Sequence, residues 1–221
     1  MTGLFEEAVE LVREDGVRLR ALRVLPDDDA AEKCHGAGVV VTATTREASE
    51  PVLERIVRGL ARAGYVVVAV ALAAADDAGA ADGHGGAFAD PIDDLQAAIA
   101  SVREMARGRT GVLALGATGP IALAAAALLP QLDAVVHAGG GPPTAAARLG
   151  RVRAAILIHQ AAAGTALTDA DVAALTARLQ RARAPLTIRR HDAADGFFTG
   201  DGAEAEVAFD QTRDFFALNL T

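Results

Sequence analysis

The residues of this 221-residue chain that could do chemistry gather at the ends of apolar runs. The stretch LALGATGPIALAAAA, Leu113–Ala127, reads as a buried strand that turns sharply into a buried helix, with Thr118 at the turn. A hydroxyl there could serve as a nucleophile if a nearby base took its proton. A sharp strand-to-helix elbow, however, holds its nucleophile in a strained backbone conformation that a β-branched residue tolerates badly. The expected role of Thr118 is therefore to cap the helix starting at Gly119-Pro120, whose first N–H groups could hold an anion or a carbonyl oxygen.

Other candidates stand at comparable places. His137 and His159 each close an apolar run, and the residue types allow either a general acid–base role or a satisfied core histidine. His191, Asp192 and Asp195 form an H-D-x-x-D cluster. A metal could use those types, but no second ligand motif accompanies them, so a solvated loop and no metal are expected. Thr42, Thr44, Thr45 and Arg46 follow another apolar run, where hydroxyls and a guanidinium could bind a substrate carboxylate. His84 lies alone in ADGHGG, and Phe197-Phe198 reads as packing. Gly139-Gly-Gly-Pro-Pro143 has no lysine and no G-x-G-x-x-G spacing, so neither a phosphate loop nor a dinucleotide cofactor is expected.

Composition narrows the chemistry further. There are two serines, Ser49 and Ser101, both on expected helices, and one cysteine, Cys34, in a polar loop ahead of a strand. No ordinary Ser or Cys nucleophile is therefore available at an elbow. The single cysteine excludes an internal disulfide and a multi-cysteine metal site. A net charge of −8 argues against a nucleic-acid partner. Apolar runs stay below the ~18–20 residues that cross a bilayer, and MTGLFEEAVE is acidic where a leader is basic. A cytoplasmic protein is expected.

These groups need a scaffold, and the patterning supplies one. Two alternating stretches within 8–25, split by Glu14-Asp15-Gly16, predict a hairpin. Apolar, β-branched runs predict buried strands at 38–43, 65–72, 111–115, 133–137, 154–159 and 185–191. Between them, Val52, Leu53, Ile56, Val57 and Leu60 fall on one helical stripe, and Ile92, Leu95, Ile99, Val102 and Met105 on another after an Asp90 cap and Pro91. Further helices are expected at 119–129, 168–182 and 203–219, and a Gly/Ala/Asp-rich loop at 73–89. Alternating strands and helices predict one α/β domain over 1–221, with a mostly parallel sheet, helices on both sides and an antiparallel hairpin at one edge. Ligands of such sheets bind beyond the carboxyl ends of the strands, which puts 42–46, Thr118, His137, His159 and 191–195 around one rim.

Over nearly its whole length the chain resembles the dienelactone hydrolase family of α/β-hydrolases. DGVRLRALRVLP resembles that family's opening strand, and GVVVTATTREASEPVLERIVRGLARAGYVVVAVAL its next strand–helix–strand unit. LGATGPIALAAAA stands for its G-x-C-x-G-G, AAILIHQAAAGTALTDADVAAL for its I-x-G-x-x-D-x-x-V, and RRHDAADGFF for its Y-x-x-A-x-H-G-F. The resemblance implies a three-layer α/β-hydrolase sandwich. It puts the nucleophile position on Thr118, the acid on Ala163, the histidine on Asp195 and a strand-end glutamate on Ala43. Such a triad acts when the histidine deprotonates the nucleophile and the acid orients the imidazole. With all three positions substituted, the expectation is a hydrolase-like protein that binds a small apolar molecule or assists a cyclisation, elimination or isomerisation. The alternatives are a hydrolase using Thr118 or an activated water, and a non-catalytic interaction subunit. The candidate catalytic residues are Thr118, His159, His191 and Asp195. The candidate binding residues are Thr42, Thr44, Thr45, Arg46, Gly119, His137 and Phe197. The expected partner is a small-molecule ligand or substrate, with a homodimer left open.

Overall fold

The computed structural model describes residues 3–27, 30, 36–44, 51–72, 91–143 and 148–220. The two alternating stretches form an antiparallel hairpin of β1 (Phe5–Val12) and β2 (Arg18–Leu25), with Val12 opposite Arg18 at its closed end. It begins three residues before the expected 8. Six parallel strands follow: β3 (Gly38–Thr44), β4 (Val66–Leu72), β5 (Thr110–Leu115), β6 (Ala134–Ala138), β7 (Ala155–Ala161) and β8 (Leu186–His191). They join the hairpin in one eight-stranded sheet of order β1-β2-β4-β3-β5-β6-β7-β8. Every residue of β3, β5, β6 and β7 is buried, as their unbroken apolar runs require of strands covered on both faces.

Among the described residues five helices provide the cover: α1 (Pro51–Arg62), α2 (Pro91–Met105), α3 (Gly119–Ala125), α4 (Asp169–Ala182) and α5 (Ala203–Leu220). Because side chains alternate along a strand, the sheet has two cores. Val39, Val41, Leu113, Val136 and Leu157 meet α1 and α5 through Ile56, Leu60 and Phe216. Val40, Val112, Val135 and Ile156 meet α2, α3 and α4 through Ile99, Leu123 and Leu179. Each fully buried side chain of this size contributes about 1.5–3 kcal/mol relative to exposure.

Helix α3 is shorter than the expected 119–129. Its last turn tightens through Ala127 N→Ala124 O and Leu128 N→Ala125 O bonds, and Pro130 blocks continuation. Helix α4 starts with a reciprocal cap: the Thr168 hydroxyl accepts from Asp171 N, and the Asp171 carboxylate accepts from Thr168 N. The hairpin is latched to α2 by Arg13, whose guanidinium donates to Asp94 at 2.8 Å and to Asp15 at 2.7 Å. Burial pushes the Asp94 carboxyl above its ordinary pKa despite the guanidinium beside it. Such a pair fixes where the hairpin docks more than it adds net stability. No helix among the described residues is long and apolar enough to cross a membrane. The 73–89 loop, Asp90, Cys34, Thr45, Arg46, Ser49 and His84 lie outside the described residues.

Candidate functional site

The turn after β5 is built around a glycine. Gly116 takes φ +51°, a left-handed conformation costly for a residue with a Cβ, and a single 3-10 turn over Gly116–Thr118 leads into α3. Thr118 itself has an ordinary helical backbone, φ −84° and ψ −11°, and its side chain makes no cap bond. This corrects the expected capping role. The Thr118 hydroxyl turns into the sheet instead, 2.8 Å from Leu115 O, 3.1 Å from Thr42 O and 2.8 Å from the Thr42 hydroxyl. Bonding back to the carbonyl three residues earlier is a local option open to threonine, and here it leaves the side chain fully buried.

Next to this knot, His137 packs on the start of α3. Its Nε2 donates to Gly141 O at 3.1 Å, and its Nδ1 has no hydrogen-bond partner among the described residues. Burial lowers its pKa. A Cβ on Gly119 would stand 2.5 Å from Gly139 O and 2.7 Å from the His137 ring, so residue 119 must be small for the ring to fit.

On the opposite face of the sheet, His159 and His191 are hydrogen-bonded across β7 and β8, with Nδ1 of His159 2.9 Å from Nε2 of His191. The chain extends both ways into α5. His159 Nε2 lies 3.0 Å from the Thr212 hydroxyl, and His191 Nδ1 lies 3.0 Å from the Glu204 carboxylate. An acceptor-only carboxylate at one end sets the direction of a neutral chain. His191 donates Nδ1–H to Glu204, His159 donates Nδ1–H to His191, and the single hydrogen of the Thr212 hydroxyl is shared between His159 Nε2 at 3.0 Å and Ala208 O at 2.9 Å. Phe197 packs tilted against His191 at 4.7 Å and Phe198 against His159 at 5.3 Å between ring centroids. Burial first, then repulsion from His191, His137 and Arg189, pushes the His159 pKa down to about 3.

Asp195 clasps two loops together. Its Oδ2 accepts from Thr165 N at 2.7 Å and Ala166 N at 3.1 Å, while Ala163 N donates to Ala193 O at 3.0 Å. Between these loops and the β5 turn lies a cleft of about 40 Å³, lined by Gly116, Gly139, Gly140, His159, Asp195 and the Phe197–Phe198 pair among others. On the usual measure of roughly 10–15 Å³ per water, that is room for about three waters.

The expected rim is thus divided by the sheet. The cleft brings together His159, Asp195 and Phe197; His191 supports it from behind Phe197. Thr42, Thr118, Gly119 and His137 belong to the α2–α4 side and do not line it, and neither does Thr44, at the end of β3. Four contributors escaped sequence reasoning: Gly116, Glu204, Thr212 and Thr165. Only Gly116 had a legible signal, a glycine directly after a buried strand. Among the described residues no group of three or more His, Cys, Asp or Glu could hold a metal ion.

The family model of the dienelactone hydrolase family matches residues 21–218. Among solved structures, a dienelactone hydrolase-like promiscuous phosphotriesterase from metagenomic libraries superposes with a TM-score of 0.80 at 17% identity, covering 100% of both chains. A protein assigned as a dienelactone hydrolase from Klebsiella pneumoniae subsp. pneumoniae gives 0.78 at 18% identity, over 98% of this chain and 99% of its own. An esterase of Pyrococcus furiosus gives 0.74 at 14% identity, over 99% and 92%. At these identities the likeness is one of fold. No curated protein matches the chain in sequence.

Proposed function

The chain belongs to the dienelactone hydrolase family, and from that premise we propose that it binds a small, largely apolar molecule in the strand-end cleft without forming an acyl-enzyme. It either holds that molecule or assists a non-hydrolytic reaction, a cyclisation, elimination or isomerisation, through orientation and proton transfer.

The observation that carries this reading is Gly116. The hydrolase elbow presents its nucleophile from a strained residue between strand and helix, and the residue with left-handed backbone there is Gly116, which has no side chain. That register lies two residues before the one the sequence resemblance suggests. Neither register offers a nucleophile to the cleft: position 116 has none, and the hydroxyl at 118 is buried in contacts to Thr42 and Leu115. The remaining parts support the same reading. Ala163 cannot orient an imidazole, and both nitrogens of His159 and of His191 are spent on each other, Thr212 and Glu204. The group left for proton transfer in the cleft is the Asp195 carboxylate.

The interaction-subunit reading finds less support. Among the described residues the large exposed apolar side chains, Phe5, Val12, Val17, Leu128, Val207 and Leu218, are dispersed over the hairpin, the turn after α3 and α5. The hydrolase reading is the one to test directly. Aryl esters and enol lactones are assayed with the wild type, Thr118→Ala and Asp195→Ala. The expected result is background turnover from all three. Wild-type turnover lost in Thr118→Ala would establish a threonine nucleophile. Turnover lost in Asp195→Ala would establish a carboxylate-activated water. Either overturns the proposal.

A further inference from the structure

Resting on the reading of the cleft as a ligand site, we propose that Asp195 is its specificity-determining residue and that the cleft takes the small ammonium or amine head group of an otherwise largely apolar molecule while rejecting carboxylates. The described lining residues carry one formal charge, that of Asp195; the others are glycine, alanine, leucine, threonine, phenylalanine and the buried His159 ring. Arg189, the cation whose field reaches His159, is exposed on β8 and does not line the cleft.

The carboxylate is held in place before any ligand arrives. Thr165 N and Ala166 N fix Oδ2, while Oδ1 packs beside Gly164 with no described donor, and the residue is solvent-exposed. The Phe197 and Phe198 rings border the same space, and an aromatic face turned toward it would attract a cation. An anion entering so small a cleft meets the fixed carboxylate, with no cation among the described lining residues to offset it. The protein's net charge of −8 acts in the same direction at longer range. The volume limits the head group to about three or four non-hydrogen atoms.

The test uses three probes of that size: ethylammonium, acetamide and acetate. Binding is followed through the backbone amide signals of Gly116 and Gly196, which border the cleft, in the wild type and in Asp195→Asn. The expected result is that ethylammonium shifts these signals and acetate does not at the same concentration. Asp195 is exposed, so Asp195→Asn should weaken ethylammonium by roughly two- to fivefold and leave acetamide unchanged. A tenfold rise in ionic strength should weaken ethylammonium and spare acetamide in the wild type, a readout that does not depend on the variant folding. Acetate binding as tightly as ethylammonium would overturn the proposal while leaving the cleft a ligand site. Ethylammonium affinity unchanged in Asp195→Asn, or insensitive to salt, would also overturn it. Silence from all three probes would overturn the ligand-site reading itself.

Discussion

His159 and His191 face each other across the last two parallel strands, ring nitrogen to ring nitrogen at 2.9 Å, and turn their remaining nitrogens toward Thr212 and Glu204 on α5. Strands β7 and β8 are followed by the loops from which α/β-hydrolases supply an acid and an imidazole. Here the polar link between the two strands sits one layer lower, under Phe197 and Phe198, and it ties strand ends to helix.

That link makes the fold acid-sensitive. The unfolded chain protonates His159 near pH 6.5, whereas the folded chain resists until about pH 3. The contribution is fully present above the unfolded value and is lost as pH falls between the two. Its slope approaches about 1.4 kcal/mol per pH unit as an upper limit. His137, lowered by burial, acts in the same sense. Urea unfolding at steps from pH 7 to pH 4 should show this loss. NMR titration should find the His159 ring unprotonated at pH 5; a midpoint near 6.5 would refute the assignment.

Thr118 should matter for stability and not for the cleft. Thr118→Val removes the hydroxyl that Thr42 meets at 2.8 Å and leaves a buried group unpaired, at a cost of about 1–3 kcal/mol. Thr118→Ser, which keeps the hydroxyl, should stay within about 1 kcal/mol. Ligand-induced shifts at Gly196 should be the same in both variants. Altered shifts would place the side chain in the site.

Gly119→Ala should be among the more damaging single-methyl additions in the chain. The new Cβ would meet a backbone carbonyl at 2.5 Å and a fully buried ring at 2.7 Å. Overpacking costs about 1–3 kcal/mol in typical cores, or roughly 2–4 °C of Tm per kcal/mol at this size. Gly150→Ala, where a Cβ meets nothing within 4 Å, is the control and should shift Tm little. Equal effects from the two substitutions would refute the packing argument.

The fold was legible because burial on both faces leaves an unmistakable trace. Runs such as Val39-Val-Val41 and Val66-Val-Val68 are strands in the structure, and the stripes Leu53–Leu60 and Leu95–Val102 are helix faces. The site was legible only in outline. The family resemblance put the nucleophile position on Thr118, and in the structure the left-handed backbone of this turn falls on Gly116, two residues earlier. His159 and His191 were expected at strand ends, but their pairing depends on register across a sheet. Glu204 and Thr212 arrive from a helix that follows them in sequence. No local pattern in a single chain encodes such a meeting.

The Asp195 clasp has a consequence for redesign. A histidine introduced at 195 would strip the amides of Thr165 and Ala166 of their shared acceptor. A serine at 116 would have to adopt φ near +51°. On the reading proposed above, each step taken alone loosens the fold and adds no turnover, so an engineer seeking ester hydrolysis here has to change positions 116, 163 and 195 together.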